Sequence, residues 1–125
     1  MTSRLFTHLT GLTLRMGQRA IVIAGGLRKE AKLRVIQQRF GVQVEWHEID
    51  SDAPREVEAI VSRIRSGRVG AVVLLTGLMA HKVYEKIVQA CTACNVPYST
   101  AGTGGTGAIE QAFAELERRL APTDT

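Results

Sequence analysis

Short apolar runs alternate along this chain with segments whose apolar residues recur every three or four positions. Four runs are predicted to be strands, at 19–24, 42–46, 70–76 and 96–100. A helix is predicted after each one. Lys29, Leu33, Ile36 and Phe40 recur at helical spacing and predict the first helix. The positions predicted to face a core are Leu33, Ile36 and Phe40 in the first helix; Val57, Ile60, Val61 and Ile64 in the second; Val83, Ile87, Ala90, Cys91 and Cys94 in the third; and Ile109, Ala112, Phe113, Leu116 and Leu120 in the fourth.

Four successive strand–helix units predict a mostly parallel sheet with helices on both faces. Right-handed crossovers favour the strand order 2-1-3-4. We therefore predict one α/β domain, a three-layer Rossmann-like or flavodoxin-like sandwich over residues 18–121, followed by a tail at 122–125. Pro97 fits the start of an edge strand, where a missing N–H is tolerated.

Residues 1–17 stand outside this scheme. Leu5, Leu9, Leu12 and Met16 lie on one side of a predicted amphipathic helix. An apolar face with no strand of its own to cover suggests packing on a partner subunit, or on its own domain. We expect a homo-oligomer.

Composition narrows the class of protein. Hydrophobic residues make up 45% of the 125 positions, and no apolar run is long enough to span a bilayer. No secretion signal is apparent, so we expect a cytoplasmic protein with no membrane partner.

Residues 1–40 carry eight basic residues and one acidic residue, whereas residues 41–125 have a net charge of −3. The basic half could attract nucleic acid or an anionic ligand; its candidate residues are Arg15, Arg19, Arg28, Lys32 and Arg39.

A glycine-rich stretch at 102–107 formally matches the dinucleotide-binding fingerprint. It follows the last strand rather than the first, so no NAD site and no cofactor are predicted. The glycines still allow close approach of a ligand, and they open onto a helix N-terminus, which favours an anion. A turn without a ligand, with Thr106 as a plain N-cap, is the alternative.

The carboxyl ends of the first, third and fourth strands should lie side by side in this strand order. The resulting candidate ligand site combines Gly25, Gly26, Arg28, His47, Thr76, His81, Lys82, Thr103, Gly104, Gly105 and Thr106. Arg28 and Lys82 would pair with phosphate or carboxylate, and His81 would set the orientation of the ligand. The alternatives are a capping or packing role for His81 and a surface position for His47.

Cys91 and Cys94 form a C-x-x-C spacing on an apolar helix stripe. No second cysteine pair exists, so neither a metal site nor redox chemistry is expected. No Gly-x-Ser-x-Gly elbow occurs, and no catalytic residue is assigned. If the protein were an enzyme, His81 would be its acid or base.

Three segments, Ile21–Gly26, Glu45–His47 and Leu75–Lys82, resemble a bacterial family, domain-of-unknown-function family 2325. The resemblance covers about residues 18–120. Its members show a Gly-Gly after the first strand, a histidine near the end of the second and a Ser-His-Lys-like step after the third. Ala80 stands where a serine is usual, which puts any serine-dependent role in doubt. The resemblance implies the fold and singles out Gly25, Gly26, His47, His81 and Lys82, but it implies no reaction.

The sequence therefore predicts a non-enzymatic binding or regulatory module for a small anionic, nucleotide-like ligand. Three alternatives remain at this point. The protein could be an accessory interaction subunit of a bacterial assembly, a nucleic-acid-associated protein acting through its basic half, or an enzyme using His81.

Overall fold

The structure is a computed structural model that describes residues 19–49, 54–102 and 105–120. The predicted arm at 1–17 and tail at 122–125 lie outside the described residues. So do Thr103, Gly104 and the side chains of Thr106 and Leu120.

Strands and helices alternate through the described chain, as the pattern predicts. The strands are β1 (Ala20–Ala24), β2 (Val44–His47), β3 (Val69–Leu75) and β4 (Tyr98–Ala101). The helices are α1 (Glu30–Phe40), α2 (Pro54–Arg65), α3 (His81–Ala93) and α4 (Thr106–Leu120), and a short 3₁₀ turn spans Thr76–Leu78.

The four strands form one parallel sheet in the order β2-β1-β3-β4. The predicted strand order and three-layer α/β class are therefore confirmed. Strand β1 lies between β2 and β3, so the order in which strands are added to the sheet reverses direction at β1. All five residues of β1 and all seven of β3 are buried, because helices cover both faces of these central strands.

Two hydrophobic cores lie on opposite faces of the sheet. The first contains the inward residues of α1 and α4, including Ile36, Phe40 and Phe113. The ring centroids of Phe40 and Phe113 lie 4.9 Å apart. The second contains the inward residues of α2 and α3, including Ile60 and Ile87. Every described position that was predicted to face a core is buried, with one exception.

The exception is Cys94. Helix α3 ends at Ala93, and Cys94 follows as its exposed C-cap residue, so the prediction that this sulfur lies on the apolar stripe is wrong. Its backbone has already left the helical conformation, and its N–H donates to the carbonyl of Ala90. The sequence does carry a stop signal here, because Asn95 follows with a left-handed φ of 57° and Pro97 lies two residues further on, but the apolar periodicity alone runs one residue too far.

Candidate functional site at the carboxyl edge of the sheet

The loops after β1 and β3 meet at the carboxyl edge, but they pack tightly against each other. A Cβ added to Gly26 would stand 2.7 Å from Cδ1 of Leu78, and one on Gly25 would stand 3.0 Å from Cβ of Leu75 and 3.3 Å from Cε of Met79. The 3₁₀ turn therefore fills the crevice where the strand order reverses. Positive φ values of +122° and +65°, together with this packing, account for glycine at positions 25 and 26.

The loops after β3 and β4 are joined by hydrogen bonds to backbone carbonyls. The N–H of Gly77 donates to the carbonyl of Gly102 at 2.8 Å, and the hydroxyl of Thr76 donates to the carbonyl of Ala101 at 3.5 Å. A Cβ on Gly77 would overlap the carbonyl oxygen of Gly102. The predicted convergence of the first, third and fourth loops is therefore present as a set of direct contacts.

The loops after β1 and β2 are also tied together. Gly26 forms an antiparallel bridge with Ile49, and the N–H of Arg28 donates to the Glu48 carboxylate at 2.9 Å. The indole N–H of Trp46 donates to the carbonyl of Gly25 at 2.9 Å. Trp46 is buried, so its ring serves the core rather than an exposed stacking surface.

A groove of about 810 Å³ runs along the ends of β1 and β2. Carboxylates dominate its polar lining, which contains Gly26, Arg28, Glu45, His47, Glu48 and Glu56. The Arg28 side chain pairs with Glu30 at 2.7 Å. An anion in this groove would face the protein's own carboxylates, so its charge favours a neutral or cationic occupant.

His47 lies between two of these carboxylates. Its Nε2 is 3.4 Å from Glu45 and its Nδ1 is 3.6 Å from Glu56. Arg63 donates two hydrogen bonds to Glu45, and these lower the pKa of the Glu45 carboxyl below its usual value. His47 therefore lies within a network of polar side chains that joins β2 to α2.

His81 and Lys82 open α3 but face different surroundings. His81 is 80% exposed, its Nε2 is 3.1 Å from Glu85 one turn later, and its ring stacks on Tyr84 at 6.1 Å. Lys82 lines a groove of about 260 Å³ between α2 and α3, with Pro54 and Val57. The groove that Lys82 lines is separate from the groove that Arg28 lines at the ends of β1 and β2.

The glycine-rich stretch differs from the glycines of the other loops. A Cβ added to Gly102 or to Gly107 would meet nothing within 4 Å among the described atoms, and neither residue has a positive φ. Gly107 lies in the first turn of α4 and is exposed. Neither backbone strain nor packing within the described chain accounts for glycine at these two positions.

The helix N-termini at this edge also differ in charge. The first turns of α1 and α2 contain the acidic residues Glu30 and Glu56, whereas the first turns of α3 and α4 contain none. A helix N-terminus attracts anions, and an acidic residue in its first turn already compensates part of its positive partial charge. Attraction for an external anion therefore concentrates on the α3 and α4 side.

The described basic residues between positions 19 and 40 do not all lie on one surface. Arg19 precedes β1 and Arg28 follows it, so Arg19 lies at the amino ends of the strands and Arg28 at their carboxyl ends. Arg39 on α1 pairs with Glu110 on α4 at 3.3 Å.

Among the described residues, no group of three or more histidine, cysteine or acidic side chains is placed to hold a metal ion. None of the described helices has the length and apolarity needed to cross a membrane.

The side-chain network of Glu45, His47, Glu56 and Arg63 was not anticipated from the sequence. The sequence contained part of the information needed to predict this network, since Glu45 and His47 are two residues apart on a strand and must share a face. Arg63 joins through tertiary packing, which no local pattern could indicate.

No protein-family model matches this chain, and no curated protein matches it. The resemblance to domain-of-unknown-function family 2325 therefore stays a prediction based on the residues alone.

Proposed function

We propose that this protein is a ligand-binding module that holds a small anionic, nucleotide-like ligand over the amino ends of α3 and α4. The observation that best supports it is that a Cβ added to Gly102 or Gly107 would meet none of the described atoms within 4 Å. A glycine in a helix destabilises it by up to about 1 kcal/mol relative to alanine. Close approach of a ligand to the backbone is a physical reason to keep glycine where the described part of the chain gives none.

Charge supports the same side of the sheet. The first turns of α3 and α4 carry no acidic residue, so the positive ends of these helix dipoles favour phosphate or carboxylate. Gly105 lies at the start of α4, where its carbonyl accepts the N–H of Ile109. Thr103, Gly104 and Thr106 complete the proposed loop by sequence, and exposed His81 is the nearest candidate for orienting the ligand.

A thermal-shift screen tests this proposal with inorganic phosphate, nucleotides, cyclic nucleotides and sugar phosphates. A ligand at a hundredfold excess over its dissociation constant stabilises the native state by about 2.7 kcal/mol. Gly107→Ala is the informative variant: it should leave the unliganded fold as stable or slightly more stable, while abolishing the ligand-induced shift. Ser62→Ala, at an exposed position near the far end of α2, is the matched control and should keep the full response.

Two results would contradict the proposal: no stabilisation by any of these anions, or a response that survives both Gly102→Ala and Gly107→Ala. Short oligonucleotides belong in the same screen, because binding through the basic residues would weaken steeply with salt. A silent screen would favour the interaction-subunit alternative. Leu27, which is 70% exposed after β1, is then the first surface residue to test.

A further inference from the structure

A groove of about 340 Å³ lies at the amino ends of the strands, on the opposite edge of the sheet from the loops described above. Its lining comes from the starts of three neighbouring strands, β1, β3 and β4. Arg19 and Arg65 are its charged lining residues, and no described carboxylate lines it. The groove along β1 and β2 is lined by three glutamates instead. The charge of this amino-edge groove therefore favours an anion.

Arg65 lies exposed in the last turn of α2. A cation there offsets the negative end of the helix dipole, which is a structural reason for a basic residue. Unlike Arg63 in the same turn, which donates to Glu45, Arg65 forms no ion pair with a described carboxylate. The pKa of Glu58 is lowered first by a hydrogen bond from Lys86 and least by the charge of Arg65. The guanidinium of Arg65 is therefore not neutralised by a close partner among the described residues.

Asn95 lines the same groove and has an unusual backbone conformation. Its φ of 57° is the one positive φ of a residue other than glycine in the described part of the chain. Glycine is the usual residue just after a helix in this conformation, and Gly67, with a φ of +82°, follows α2 in that way. The Asn95 side chain makes no hydrogen bond to another described residue. At this position asparagine therefore adds to the groove an amide donor that glycine would not supply.

We infer that the amino-edge groove binds a small, doubly charged oxyanion such as a phosphoryl group or a dicarboxylate. Arg65 pairs with the anion, the Asn95 amide donates to one of its oxygens, and Arg19 adds positive charge at the start of β1. Guanidinium groups match the oxygens of phosphate and carboxylate in this way. The volume lies at the small end of the range for ligand pockets, which suits a small anion. The site is separate from the one proposed over α3 and α4, and it does not depend on that proposal.

The exposed thiol of Cys94 lines this groove and reports its occupancy, whereas Cys91 is buried. The full chain is treated with N-ethylmaleimide, an uncharged reagent, in phosphate, sulfate or succinate, with chloride as the reference at the same ionic strength. A bound anion should slow the modification of Cys94 several-fold, and the slowing should saturate as the anion concentration rises. Constant ionic strength separates binding from general screening.

Arg65→Gln should remove this protection. Arg34→Gln removes the same charge from an exposed position of α1 and is the matched control, which should keep the protection. Ellman's reagent is itself a dianion, so Arg65→Gln should slow its reaction with Cys94 while leaving the unprotected rate of N-ethylmaleimide unchanged. Asn95→Gly keeps the left-handed turn, so it should weaken the protection without lowering thermal stability.

The inference is overturned if none of the three anions protects Cys94, or if protection persists undiminished in Arg65→Gln. Gly107→Ala, which alters the site proposed at the other edge of the sheet, should leave the protection intact. Loss of protection in Gly107→Ala would assign the effect to that other site and would equally overturn the inference. Protection that survives Gly107→Ala and fails in Arg65→Gln supports a second anion site at the amino edge, whatever the outcome at the carboxyl edge.

Discussion

The N–H of Gly77 donates to the carbonyl of Gly102 at 2.8 Å, joining the loop after β3 to the loop after β4. The two backbones approach so closely that a Cβ on Gly77 would overlap that same carbonyl oxygen. This contact fixes the 3₁₀ turn beside the start of the glycine-rich stretch. The position of the proposed ligand loop therefore depends on a residue 25 positions earlier in the chain.

Gly77→Ala should destabilise the fold by about 1–3 kcal/mol, because the clash is with backbone and no flexible side chain can move aside. Urea unfolding followed by the fluorescence of Trp46, the single tryptophan, measures the change. Gly107→Ala is the control, since its added Cβ meets open space, and it should not destabilise the protein. Equal stability of the two variants would show that the Gly77–Gly102 contact is not formed.

Gly26→Ala should combine two separable penalties. Its φ of +65° lies in the left-handed region, which destabilises a residue with a Cβ by about 1–2 kcal/mol. The added Cβ also meets Leu78. Gly67→Ala has a φ of +82° with open space around it, so it should show the strain alone.

The steric part of the Gly26 effect should disappear when Gly26→Ala is made in a Leu78→Ala background. Denaturation of the four proteins of this cycle gives the coupling between the two positions. Additive effects would show that Leu78 does not pack on Gly26.

Glu45→Gln should reduce the dependence of stability on pH in the acid range. The pKa of Glu45 is lowered in the folded state, first by its hydrogen bond from Arg63, so the network stabilises the protein above the ordinary glutamate pKa of about 4.3. That stabilisation is lost as pH falls through the lowered folded-state pKa. Thermal unfolding from pH 7 to pH 3 should therefore show a steeper loss for wild type than for Glu45→Gln.

Arg63→Gln provides the check on that assignment. It should flatten the same part of the pH profile, and combining it with Glu45→Gln should flatten it no further. Profiles that remain parallel to wild type in both single variants would exclude this pair as an acid-sensitive element.

The two cysteines should differ sharply in reactivity. Burial raises the pKa of the Cys91 thiol to about 12, so it has almost no thiolate at neutral pH, whereas Cys94 is exposed. A thiol reagent such as Ellman's should modify one group in the native protein and both after unfolding. Cys94→Ser should leave the native protein unreactive, and prompt reaction of two thiols in native wild type would contradict the buried position of Cys91.

The sequence by itself determined the order of strands and helices, the α/β class, the strand order and nearly all of the core. These features follow from local periodicity, since Val57, Ile60 and Ile64 must share a helix face wherever α2 packs. Chain-direction rules then leave few ways to arrange four strand–helix units. The sequence also located the loops that meet at the carboxyl edge.

Only the tertiary structure decided how those loops use their residues. Gly26 is glycine because of its left-handed φ of +65° and its contact with Leu78, and Gly77 is glycine because the carbonyl of Gly102 packs against it. A Cβ on Gly102 or Gly107 would instead meet none of the described atoms. The two kinds of glycine look alike in sequence because the difference lies in what occupies the space beside each Cα. Likewise, the network joining Glu45 to Arg63 depends on two elements meeting in space, and contacts between distant residues leave no periodic signal in the chain.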